Sequence, residues 1–154
     1  MQYDARQIAN WFLSRAKRDG QCPSIMALLK LTYIAHGWNL EINNAPLFPN
    51  RIEAWQYGPV IPDVYNSFRP QGVTPFKPDS NYPDTIDDPT TENLLEQIYN
   101  IYGTMTPFRL SEITHEPGGP WETATRLGGW YAPIPNELIQ SHYIVKRRQA
   151  NAQK

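Results

Sequence analysis

Residues 53–65 read EAWQYGPVIPDVY, a stretch in which two tyrosines and a tryptophan sit among one glycine and two prolines. The first half alternates: from Arg51 to Tyr57 the period is close to two, and the pattern extends back through Pro-Leu-Phe at 46–48 across a turn expected at Pro49-Asn50. This predicts a short β-hairpin, with Trp55 and Tyr57 on one face. Two strands alone are marginal in water, so the hairpin must lie on something larger. Gly58 can take a backbone conformation closed to other residues, and Pro59 and Pro62 direct the chain into a short helix, PDVYNSF. The stretch therefore reads as a structural corner. Its rings are expected in the core, with Thr114 or His115 satisfying their polar groups.

Working outward, the sequence is helical on both sides. Asp4 can cap a first helix with Gln7 reaching back, and Ala5, Ile8, Ala9, Phe12 and Ala16 form its apolar stripe before Gly20 stops it. Ser24 caps a second helix, IMALLKLTYIAHGWNL, whose apolar residues wrap most of the circumference. Such a helix is usually central. Residues 70–89 carry five prolines and several aspartates, which predicts an irregular surface loop and the most mobile segment. Further helices follow: 91–102, with Leu94, Leu95, Ile98, Ile101 and Tyr102 inward; one from Thr106-Pro107 through Ile113; a restart after HEPGGP; and a last one from Pro135 to about Arg147. The expected fold is mainly α, a single compact domain of six or seven helices with one short β-hairpin packed on it.

Composition limits the functions. A chain of 154 residues fits one core. A net charge of −1 provides no basic field for a phosphate backbone, so nucleic acid is not an expected partner. One cysteine excludes an internal disulfide framework, and neither a signal region nor a membrane-length apolar run is present, which points to the cytoplasm. Proline, at 15 residues, is about twice its usual share of roughly 5% and is spread through the chain as punctuation.

No reactive constellation emerges. The His115-Glu116 pair lacks a second histidine at helical spacing, since position 119 is glycine and Pro117 to Pro120 break the helix, so no metal site is expected. No serine occupies a nucleophile elbow, and no glycine loop cradles phosphate. The basic residues Lys146, Arg147, Arg148 and Lys154 fit a solvated helix end. These exclusions leave a protein-binding module without a cofactor.

Four blocks in order resemble the Panacea-domain antitoxin family, which includes phage-associated members. They are LLKLTYIAHGW at 28–38, the opening stretch, LSEITHEPGGPW at 110–121 and IPNELIQSHY at 134–143. The residues carrying the resemblance are Lys30, Tyr33, Trp38, Trp55, Tyr57, Gly58, Pro59, Thr114, His115, Pro120 and Trp121, all read as structural; Leu29 and Thr32 depart from the family pattern. The resemblance implies a Panacea domain over residues 1–148 with a C-terminal tail at 149–154. It implies an antitoxin, not an enzyme, that neutralises a cognate protein toxin encoded by a neighbouring gene through direct complex formation, and that can hand the toxin to a protease or chaperone. Two alternatives stay open: a phage-associated inhibitor of a host factor, and an enzyme using His115 with a nearby carboxylate. Partner choice needs surface that can vary between relatives. The loop RLGGWYAP at 126–133 combines Arg126, Trp130 and Tyr131 with glycines, the side-chain mix that dominates binding energy, and these three are the expected partner-binding residues.

Overall fold

The computed structural model describes residues 2–152. Its centre is the helix α2 (Ile25–Asn43), begun by Ser24, whose Oγ accepts the Ala27 N–H. Residues 27–37 of α2 are all buried, as its all-round apolar pattern requires. Around it pack α1 (Ala5–Arg18), α3 (Pro62–Phe68), α4 (Pro89–Tyr102), α5 (Pro107–Thr114) and α7 (Asn136–Ala152), while α6 (Pro120–Gly128) packs beside α7. The fold is thus mainly α, with seven α-helices among the described residues.

The abundance of proline has a local cause. Pro62, Pro89, Pro107 and Pro120 each open a helix, where the missing N–H costs nothing and the fixed φ is already helical. Asp88 and Thr106 cap α4 and α5 through the N–H groups of Thr91 and Arg109. Asp4 caps α1 through the Arg6 N–H, but Gln7 does not reach back; its amide donates to the Thr85 carbonyl instead.

The hairpin is present with a different turn. Strands β1 (Glu53–Trp55) and β2 (Gly58–Val60) pair antiparallel, Trp55 opposite Gly58, so the chain reverses at Gln56-Tyr57 and not at Pro49-Asn50. Leu47 and Phe48 are not a strand. They are buried where the Leu47 carbonyl accepts the Tyr3 N–H and Phe48 stacks on His36 at 4.2 Å. Asn50, expected in a turn, receives the Ala5 N–H at 2.9 Å. A third strand, β3 (Ala132–Pro133), joins the other edge of β1 to complete a three-stranded antiparallel sheet of order β2-β1-β3. Two residues including a proline carry no alternation, which hid this strand from the sequence.

The 70–89 segment is irregular, as expected, yet firmly tethered. Asn10 of α1 is fully buried; its amide donates to the carbonyls of Asp79, Tyr82 and Pro83, and its oxygen accepts the Asp79 N–H at 2.8 Å. Phe76 and Ile86 anchor the loop in the core. On α4, Ile101 faces solvent and Tyr99 is buried in its place. Helix α7 continues through Ala152, so residues 149–152 of the expected tail are helical, and the last two lie outside the described residues.

Candidate functional site

The 53–65 stretch closes on a lysine. Lys30, fully buried on α2, donates from Nζ to the carbonyls of Tyr57 at 3.0 Å and Pro59 at 3.2 Å, and among the described residues no carboxylate pairs with it. Burial pushes its pKa down to about 7. Gly58 lies against that amine with φ 117°, a region side chains rarely adopt, and a Cβ there would stand 2.5 Å from Nζ and 2.8 Å from the His115 ring. His115, just past α5, places Nδ1 at 2.6 Å from the Ser111 carbonyl, so this nitrogen carries the proton. Its ring rests on Trp121 at 4.2 Å, and burial together with Lys30 lowers its pKa. Trp121, in the first turn of α6 behind Pro120, donates to the Trp55 carbonyl at 2.7 Å. Lys30, Trp55, Gly58, Pro59, His115 and Trp121 thus meet in one polar-buttressed corner. Tyr33 and Trp38 on α2 lie elsewhere, Trp38 packing on Tyr143 and donating to the Tyr102 hydroxyl, while Thr114 turns its hydroxyl to the Leu110 and Ser111 carbonyls.

Two expectations about this corner are corrected. Tyr57 is 65% exposed: its carbonyl, not its ring, is drawn inward by Lys30. Trp55 is half-buried and donates to Glu53 at 2.9 Å, not to Thr114 or His115. An aromatic at the hairpin tip is carried outward when the turn falls at 56–57, because the strand pairing ends at Trp55 and Gly58.

Lys30 has a consequence for stability. Its unfolded pKa is near 10.4 and its folded value about 7, so between these pH values the unfolded chain holds a proton that the native state lacks. Stability should therefore rise with pH across this window, by up to ~1.4 kcal/mol per pH unit, and this contribution is lost as pH falls toward 7. Urea denaturation from pH 7.5 to 9.5 should show the slope, and Lys30→Met should flatten it while lowering stability, since two carbonyls lose their donor.

Among the described residues no carboxylate lies at ion-pair distance from His115. Its ring hydrogen bonds are to Ser111, while Glu116 accepts from Lys146 at 2.6 Å and lies 3.5 Å from His142 on α7. Among the described residues no group of three or more His, Cys, Asp or Glu could hold a metal ion.

What the corner does present is an aromatic face. Beyond α6 the chain turns at Gly129, and Tyr131 adopts φ 66°, a left-handed conformation unusual for a bulky residue, held by its N–H bond to the Ala54 carbonyl at 2.8 Å. Trp130 is 57% and Tyr131 64% exposed, so neither folds back to cap the core. Tyr131 meets Trp55 edge-on at 5.6 Å, Trp55 meets Tyr65 at 5.0 Å, and Trp130 lies 6.2 Å from Trp121. Arg126 lines a shallow pocket with Trp130, Glu122, Thr125 and Gly129. The structure thus brings Arg126 and Trp130 together and sets Tyr131 against Trp55. Tyr65 and Arg69, whose guanidinium lies 5.7 Å from the Tyr65 ring, extend the same line and were not singled out in the sequence. Their only local signal is the spacing of four residues, which places them on one helical face.

Residues 28–122 match the family described as "Antitoxin SocA-like, Panacea domain". The matched span holds Lys30, the hairpin, His115 and Trp121, and it stops short of Arg126, Trp130 and Tyr131. Among curated proteins the chain is similar to Antitoxin SocA of Caulobacter vibrioides (strain NA1000 / CB15N), with 33% identity over 129 residues, covering 77% of this chain and 69% of that protein. No solved structure matches.

Proposed function

We propose that this chain, which belongs to the SocA-like Panacea-domain family of antitoxins, neutralises a cognate protein toxin by stoichiometric complex formation through the face bearing Arg126, Trp130 and Tyr131. The toxin is the product of a neighbouring gene, and the complex forms in the cytoplasm, where a protease or chaperone can receive the bound toxin. The Panacea domain occupies residues 1–148 on this reading. The observation that supports it is the placement of exposed Trp130 and Tyr131 on the buried corner built by the family's motif. Rigid aromatics with an arginine supply large contact area at low entropic cost, and they are enriched at binding hot spots. Their position outside the matched span suits surface that differs between relatives with different partners. No described helix is long and apolar enough to cross a membrane.

The test is co-expression with the short open reading frame beside the gene, scoring growth arrest and its relief. Relief should scale with the amount of this protein, whereas a catalyst would act far below equimolar dose. The double replacement Trp130→Ser with Tyr131→Ser should weaken toxin binding by about 30-fold or more, the loss of a hot spot of ~2 kcal/mol, with the melting temperature changed by only a few degrees. Full rescue by a folded double variant would move the interface elsewhere.

A further inference from the structure

We propose that the aromatic face receives an acidic segment of the partner protein, its carboxylates pairing with Arg126 beside Trp130 and with Arg69 beside Tyr65, and its apolar side chains meeting the Tyr131, Trp55 and Tyr65 rings. The proposal rests on the antitoxin reading and adds the chemistry of the bound surface.

The arginine inventory singles out this face. Arg6, Arg15, Arg18, Arg51, Arg109 and Arg147 all have a carboxylate at ion-pair distance. Among the described residues Arg69 and Arg126 have none, and the third such arginine, Arg148, lies on α7 and not beside these rings. Glu53 accepts from Arg51 and Trp55, Asp63 from Asn50, and Glu122 from the Gly118 N–H. A chain of net charge −1 thus keeps two arginines without an ion-pair partner beside these rings, Arg126 in one pocket with Trp130 and Arg69 against Tyr65. Charges at the rim of an apolar contact set register and partner choice more than affinity, and two fixed cations select a segment with carboxylates at matching positions. The backbone under Tyr131 is already committed: Tyr131 holds its left-handed φ within the β1–β3 edge, so binding needs little further ordering. Aromatic rings with arginines also suit single-stranded nucleic acid, but such binders track the backbone with a continuous basic groove, and only these two arginines lie beside the rings.

Fluorescence anisotropy separates the cases. The probes are a short labelled peptide with glutamates at both ends and leucine and phenylalanine between, its glutamine counterpart, its lysine counterpart, and a labelled oligo-dT strand. The glutamate peptide should bind about tenfold tighter than the glutamine one, with the advantage shrinking as salt rises. The double variant Arg69→Glu with Arg126→Glu should transfer the preference to the lysine peptide. Equal binding of the glutamate and glutamine peptides, an unchanged preference in the variant, or tighter binding of oligo-dT would each overturn the proposal. Toxin rescue is scored separately. Rescue kept by the folded double-arginine variant overturns the acidic-segment proposal and leaves the antitoxin reading standing; a wild-type chain that silences no neighbouring gene product counts against the antitoxin reading, while the peptide series still judges the aromatic face.

Discussion

Gly58→Ala is expected to destabilise the protein by ~2–4 kcal/mol, read as a lower urea midpoint with an unchanged m-value. Two effects combine. At φ 117° a Cβ is strained whatever the space, and here it would meet Lys30 Nζ and the His115 ring at 2.5 and 2.8 Å. A lysine tip normally moves aside cheaply, but this one is buried and tied to two carbonyls of the same turn, so displacing it breaks the bonds that hold the hairpin to α2. Combined with Lys30→Met the clash changes while the backbone strain remains, so the two costs should fail to add. A midpoint for Gly58→Ala within error of wild type would show that the corner is pliable and that its buried amine does not hold the turn.

Tyr143→Ala should be costlier still, at ~3–5 kcal/mol, the range for removing a fully enclosed aromatic from a core. Tyr143 is the main bridge between α7 and α2. Its ring lies where a side chain on Gly37 would go, with a Cβ there 2.2 Å from it, and it packs edge-on to Trp38 at 4.9 Å. Gly37 therefore has a packing reason: it leaves space for a ring supplied more than a hundred residues later. Loss of α7 docking should appear as a large fall in melting temperature, together with faster hydrogen exchange across residues 136–152. A variant melting near the wild type would mean that α7 is held by Ile139 and by polar contacts such as Gln140 to the Leu40 carbonyl and Lys146 to Glu116.

The candidate site was legible in pieces. Arg126, Trp130 and Tyr131 stood out because their residue types are those of contact surfaces, and the structure leaves all three exposed beside the motif corner. Six of the shared motif residues meet in the corner, but the motif did not say that Tyr33 and Trp38 would lie elsewhere or that the Tyr57 ring would face solvent. Nothing local to Lys30 says that its amine will be dry, because that depends on a hairpin tip and a histidine from two other parts of the chain. Arg69 was missed for a related reason. An exposed arginine beside a proline is ordinary, and only the comparison with every other arginine's partners marks it.

Sequence by itself determined where α1, α2, α3 and α5 begin and which helix is central, while α4 starts at Pro89, two residues before its apolar pattern. These follow from local rules: a side-chain oxygen caps free N–H groups, proline suits the first helical position, and an all-round apolar helix such as α2 has to be enclosed. Tertiary structure alone decided which rings are inside. Tyr57 and Trp55 share a pattern of alternation, but the turn at 56–57 leaves one ring in solvent and lays the other against Tyr65 and Tyr131. It also decided that Ala132 and Pro133 form a strand, that Asn10 ties down the proline-rich loop, and that Tyr131, Trp55, Tyr65 and Arg69 meet in turn. Each of these depends on a partner far along the chain, and burial and hydrogen bonding are properties of the pair that meets, which no local window contains.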